Sequence, residues 1–307
     1  MRLSSLSSAA RNRVATALIF VSPACFCSNM ILAKAMSGIF PPVAMALSRW
    51  SFVALLIGLA MAPMLAAYHQ QIRREWKSVM LLGGLGMGLC GAPIYMAGTL
   101  TTATNIGLIY AVCPILILSL SLAGEKRRPG LLQSIGMGAG FIGVVFILMK
   151  GQLEQLLLLS VNSGDLLVVM GTVAFAVYSI GLKAFRSELP ALLRFGVMAF
   201  AGSLWHFPFW IYEAVVLGDR VVLTPEIVGV VAILVLVASL GAYLSYGYIV
   251  ERLGASRAGL VLYMLPLYNA LFAVILLDEH IQLFHLIGGV LILGGMWLSG
   301  RSDRTAA

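Results

Sequence analysis

Ala103-Thr-Asn-Ile-Gly107-Leu opens a stretch that reaches Pro114, passes an acidic turn at Glu125 and ends in the run Ile135-Gly136 to Gly143. The same stretch returns as Ala255-Ser-Arg-Ala-Gly259-Leu, with Pro266, an acidic turn at Asp278-Glu279 and the run Ile287-Gly288 to Gly295. At an offset of 152 positions Ala103 falls on Ala255, Gly107 on Gly259, Pro114 on Pro266, Gly136 on Gly288 and Gly143 on Gly295. A shared offset across so many landmarks is the signature of an internal duplication. The earlier part of each half follows at an offset of 149: Phe26 falls on Phe175, Lys34-Ala35 on Lys183-Ala184, and Pro41 on Pro190. A small insertion in a loop accounts for the change of offset.

Working outward, composition excludes a soluble protein. The 307 residues are 61% hydrophobic and 10% charged, against roughly 25% charged in an average soluble domain. Their mean hydropathy is +0.99. A bilayer core about 30 Å thick takes roughly 20 apolar residues per helix. The chain has room for ten such spans and for no extramembrane domain of any size. Run length, and the lack of sustained two-residue alternation, predict helices rather than strands. The expected spans are 15–36, 42–66, 78–99, 104–124 and 130–149, then 165–184, 194–216, 227–250, 255–277 and 282–300. Residues 1–150 form the first five-helix repeat, 151–163 an extracytoplasmic connection, and 164–307 the second repeat. The start, Arg11-Asn-Arg13 before an apolar run, is read as a retained first span rather than a cleaved leader.

The net charge of +8 comes from short basic clusters between the apolar runs, where topology signals lie. It therefore does not indicate nucleic-acid binding. With the N-terminus in the cytoplasm, the inside segments carry sixteen Lys and Arg and the outside segments three: Lys34, Lys150 and Arg220. That split places both termini inside. Five spans per repeat then put the second repeat into the membrane upside down relative to the first, an inverted-topology repeat of the kind found in transporters.

The chain carries no Ser/His/Asp set, no HExxH, no GxxxxGK and no paired carboxylates within a span, so no enzyme activity, metal or cofactor is expected. Cys25, Cys27, Cys90 and Cys113 lie in apolar runs and read as small buried side chains. No carboxylate lies deep in an expected span, so no proton-coupling carboxylate is expected there.

Arg49 is the most unusual residue, about 12 Å into the second span at 1.5 Å per residue. It reads either as a cavity cation for a carboxylate or phosphate group of a substrate, or as a structural Arg bonding free carbonyls. Asn29, Tyr95, Tyr178, Tyr246 and Tyr263 join it as candidate substrate-binding residues, and Asn29 and Tyr178 occupy matched repeat positions. Tyr110, Tyr243, Tyr268, Asn269, Trp205 and His206 are further polar tips within spans, and a lone His there reads first as a bonded core residue. Gly107 with Pro114, and Gly259 with Pro266, are candidate hinges, since a mid-helix Pro removes a backbone bond and kinks the helix. Gly84 with Gly88, and Gly136 with Gly140, have the spacing that lets helices approach closely.

With these residues in hand, the chain resembles the drug/metabolite transporter superfamily, specifically its EamA-type ten-helix exporters. The resemblance rests on the repeated Gly, Pro and Glu marks and on Phe26-Cys-Ser-Asn29, Ala33-Lys34-Ala35, Pro41-Pro42 and Leu47-Ser-Arg49-Trp50. Many relatives have Trp where this chain has Phe26 and Phe175. The resemblance implies a bundle with a central cavity, two halves rocking to give alternating access, and a place in the bacterial inner membrane. Its cargo would be small metabolites, amino acids or drug-like compounds. The expected partners are a small-molecule substrate and the bilayer, with no nucleic acid; the oligomeric state is left open. The competing expectation is a membrane-embedded binding or assembly protein that moves nothing.

Overall fold

The computed structural model describes residues 7–277 and 280–302. Among them there are helices and no strands. The long helical stretches are α1 (Ser8–Ala35), α2 (Pro42–Ala60), α3 (His69–Leu100), α4 (Ala103–Gly124) and α5 (Leu131–Leu148), then α6 (Ser163–Ala184), α7 (Ala191–Val215), α8 (Pro225–Leu253), α9 (255–277) and α10 (Leu283–Ser302). Eight of these, all but α7 and α9, are long and apolar enough to cross a membrane. Arg194, His206 and Glu213 dilute α7, and a 3₁₀ turn at Leu260–Met264 breaks α9. The expected acidic turn at Asp278-Glu279 lies outside the described residues, as do Arg2 and Arg304.

Local chemistry sets the helix starts. Thr102 caps α4 through the N–H of Asn105, and Thr224 caps α8 through that of Ile227. Asn162 and Asp165 form a reciprocal capping box at the start of α6, which satisfies two orphan N–H groups at once. α3 starts nine residues before the expected 78, because His69–Gly83 is amphipathic. Arg73, Arg74 and Lys77 ride on the part that extends beyond the apolar stretch.

α2 has no side-chain cap of its own, since its N-cap position is Pro41 and its first residue Pro42. Glu213, from the last turn of α7, caps it instead. Its Oε1 accepts from the Val43 N–H at 2.8 Å and its Oε2 from the Ala44 N–H at 2.7 Å. Glu213 is 2% exposed, and its charge faces the positive end of the helix. Replacing it by Ala strands two buried N–H groups. Glu213→Ala is expected to lower stability by about 1–3 kcal/mol, read as a fall in melting temperature in detergent, with Glu213→Gln falling less.

Packing follows the duplication. α5 lies along α10, and α2 along α7, each beside its own repeat counterpart. α1 packs on α8 and α9, while α6 packs on α3 and α4, so the two halves exchange first helices. The α5–α10 approach is closest. A Cβ built on Gly136 would sit 2.5 Å from the Gly295 carbonyl, and one on Gly143 would sit 2.7 Å from that of Gly288. The outward faces carry large apolar side chains such as Leu59 (70% exposed) and Val290 (72%). That is what a lipid-facing surface requires.

Two departures from α-helical winding sit at matched places. α3 widens to a π turn over Gly84–Leu89 and α8 does the same over Leu236–Gly241, 152 residues later. The candidate hinges also fall on breaks. α4 is interrupted at Val112, between Gly107 and Pro114, and the 3₁₀ turn of α9 lies between Gly259 and Pro266.

Candidate functional site

The two wide turns organise the centre of the molecule. A π turn leaves a carbonyl without its usual partner, so it can accept from elsewhere, and such turns gather at functional sites. Tyr243 of α8 donates its hydroxyl to the Gly86 carbonyl in the first wide turn, at 2.8 Å. Arg49 of α2 donates an Nη2 hydrogen to the Ala238 carbonyl in the second, at 2.6 Å. Each half thus reaches into the other.

Arg49 carries the site. It is 2% exposed. Its Nε donates to Ser239 Oγ at 2.6 Å, and its Nη1 donates to Asn29 Oδ1 at 2.7 Å and to Tyr95 Oη at 3.0 Å. Tyr95 in turn donates to Asn29 Oδ1 at 2.5 Å, while Ser239 donates to the Leu234 carbonyl at 2.8 Å across the wide turn. The guanidinium lies 4.5 Å from the centre of the Trp50 ring and 5.8 Å from that of Tyr243, within cation–π range. Each hydrogen bond to a charged group contributes roughly 1.5–3 kcal/mol, so four of them offset the few kcal/mol that a charge costs inside a bilayer. Every partner is neutral. No described carboxylate pairs with Arg49, and the centre keeps a net positive charge.

Beside the cation lies an aromatic layer. Phe26 and Phe175, matched in the duplication, meet edge-on at 6.2 Å. Tyr243 touches both, at 5.6 and 6.5 Å, and lies 5.0 Å from Trp50. Tyr178 and Tyr246 pack on Phe175 at 5.8 and 5.1 Å, and the Tyr246 hydroxyl bonds Ser179 Oγ at 2.7 Å.

Of the residues singled out in the sequence, Asn29, Arg49 and Tyr95 come together as one hydrogen-bonded cluster. Tyr178 and Tyr246 stand in the adjoining aromatic layer. Tyr263 stands apart: its ring packs on Gly140 of α5 and its hydroxyl donates to the Met137 carbonyl at 3.2 Å. Ser239 and the Ala238 carbonyl are not among the residues that the sequence singles out, and Trp50 stands there only as part of a motif. Among the described residues no group of three His, Cys, Asp or Glu could hold a metal. The large recess of 670 Å³ between α2 and α7 is lined by apolar side chains such as Leu55, Leu59, Phe200 and Phe207, and Arg49 is not part of its wall.

Apolar helices in two interlocked repeats, closed around a buried polar centre that both repeats build, define a multi-pass integral membrane protein of the transporter class. The sequence model of the EamA-like transporter family matches residues 14–149 and again 162–301. The chain belongs to that family, one of transporters rather than enzymes. It is similar to an uncharacterized transporter of Archaeoglobus fulgidus, 28% identical and covering 73% of this chain and 76% of that one. It is also similar to the uncharacterized transporter YyaM of Bacillus subtilis, 25% identical over 86% of each chain. A solved crystal structure shares the fold at a TM-score of 0.74, covering 95% of this chain and 99% of that one at 20% identity.

Proposed function

We propose that this protein exports a small organic anion, or a zwitterion with a carboxylate, across a bacterial inner membrane by alternating access. In this reading α7 and α9 also span, giving ten spans as two inverted five-helix repeats with both termini in the cytoplasm. The matched wide turns and the exchanged first helices support that arrangement. The observation that carries the substrate class is the Arg49 guanidinium, buried among neutral partners with no counter-ion among the described residues. A substrate carboxylate arriving there would meet a fixed cation in a medium of low dielectric, where the attraction is far stronger than in water. Asn29 and Tyr95 would exchange their bonds to Arg49 for bonds to the substrate. Trp50 and the aromatic layer would take its apolar part.

The full hydrogen-bond shell of Arg49 favours a second reading, in which the residue only ties α1, α2, α3 and α8 together. Transport separates the two. Vesicles reconstituted with the wild-type protein are expected to accumulate labelled substrates of one chemical class from a panel of amino acids, nucleobases and sugars, with the charged acids taken up and their amides left. Uptake that ignores this charge difference would favour the structural reading.

A further inference from the structure

Three polar atoms of α1 and α8 are shielded from solvent and have no hydrogen-bond partner among the described residues: Nε of Arg11, Nε of Arg252 and the hydroxyl of Tyr248. Helical register brings them to one place. Ser22 of α1 contacts the Ala242 carbonyl of α8 at 3.5 Å. Cys25 faces Gly241, where an added Cβ would sit 3.1 Å from the thiol sulfur. The two helices therefore run antiparallel. Arg11 precedes Ser22 by eleven residues and Arg252 follows Gly241 by eleven, three turns in each case at 3.6 residues per turn. By that count each arginine falls on the stripe of its helix that faces the other. Ala15, between Arg11 and Ser22 on that stripe, is fully buried, so this face of α1 stays packed to within one turn of Arg11. Eleven residues below the contact is about 16 Å on both helices, which brings Arg11 and Arg252 to the same level. Tyr248 lies one turn above Arg252, with the guanidinium 5.7 Å from its ring centre.

Two guanidiniums at one level of a seam repel each other. No described carboxylate pairs with either, and the phenol hydroxyl of Tyr248, beside Arg252, has no partner among the described residues. A tetrahedral oxyanion meets all three needs: it accepts from both arginines and from the hydroxyl, and it cancels their charge. We propose that this seam is a binding site for a phosphate group, and that the headgroup of an anionic phospholipid supplies it. A basic pair at the end of apolar helices lies at the depth of lipid phosphates. Arg11 belongs to the first repeat and Arg252 to the second, so a bound headgroup staples the two halves at that end.

The test is thermal melting of the full-length protein in phosphatidylcholine nanodiscs, with phosphatidylglycerol raised from none to about a third of the lipid. The wild type is expected to gain about 3 °C or more, since a ligand that binds only the folded state stabilises it. The gain should vanish in Arg11→Gln/Arg252→Gln and shrink in Tyr248→Phe, which keeps the ring and the packing. It should survive in Arg73→Gln/Arg74→Gln, which removes equal charge elsewhere. Inorganic phosphate at millimolar concentration, in pure phosphatidylcholine, identifies the source. If it reproduces the gain, and the double variant removes that too, the oxyanion site stands but a soluble phosphate fills it. No gain with either ligand, or a gain that the double variant keeps, or one lost equally on removing Arg73 and Arg74, overturns the site.

Discussion

Arg49→Gln is expected to abolish transport, lowering uptake by about a hundredfold or more while the protein still folds. The size follows from losing one partner of a buried charge interaction, about 2–5 kcal/mol, where 1.4 kcal/mol is a factor of ten. Gln keeps some of the bonding. It can reach toward Asn29 and Ser239, so helices α1, α2 and α8 remain tied, and the melting temperature should drop by only a few degrees. Arg49→Lys separates charge from shape. An ammonium keeps the cation but not the planar fork that bonds Ser239, Asn29, Tyr95 and the Ala238 carbonyl together, and the two side chains are not interchangeable at such a site. Lys should therefore restore part of the transport that Gln removes. If Lys and Gln behave alike, geometry rather than charge is the essential quantity. Uptake at the wild-type rate in Arg49→Gln would leave the residue a structural tie.

Gly136→Leu should have the largest effect on stability. α5 and α10 touch backbone to backbone. A Cβ on Gly136 meets the Gly295 carbonyl and the Ser299 nitrogen, each at 2.5 Å, and both are main-chain atoms that cannot move aside alone. A whole leucine there must part the helices. Overpacking by extra methylenes costs typically about 1–3 kcal/mol, and forcing apart two backbones in contact goes to the upper end or beyond it. Gly138 is the control, since nothing lies within 4 Å of a Cβ there. Gly138→Leu should melt close to the wild type in the same detergent, while Gly136→Leu falls by ten degrees or fails to express.

That contrast shows how the duplication was legible. Gly136 and Gly143 were readable as marks because they recur at Gly288 and Gly295, and the recurrence has a physical cause: each pair faces the other across α5 and α10. Arg49, Asn29 and Tyr95 were readable for a different reason. A bilayer makes polar side chains expensive, so those within apolar runs need partners, and these three partner each other. The wide turns were not readable. A π turn leaves no periodic signal, and the clustering of Gly83, Gly84, Gly86 and Gly88 was explained equally well by close helix packing. Ser239 lies in an apolar run of α8, where a serine can simply bond its own helix. Only the structure shows that its hydroxyl also accepts from Arg49, because the widened backbone turns it toward α2. Tyr263 stands away from that cluster. Its mid-span position and polar tip matched those of Tyr246, but α9 turns it toward α5, where a main-chain carbonyl takes its hydroxyl.

The same reasoning explains why one buried carboxylate had its place but not its use foreseen. Glu213 sits at a helix end, as read from the sequence, yet it acts on another helix, capping α2 only six residues before Arg49. The start of the helix that carries the cation is thereby fixed by a residue from the other repeat.

In the proposed function Arg49 holds the anionic part of the cargo. Its most direct test is equilibrium binding to the purified protein in detergent, using the acid that is transported best and the matching neutral amide. Wild-type protein is expected to bind the acid at least about tenfold more tightly than the amide, and Arg49→Gln to bind both equally and weakly. Equal binding of acid and amide by the wild type, or an undiminished preference for the acid in Arg49→Gln, would rule out that role for Arg49.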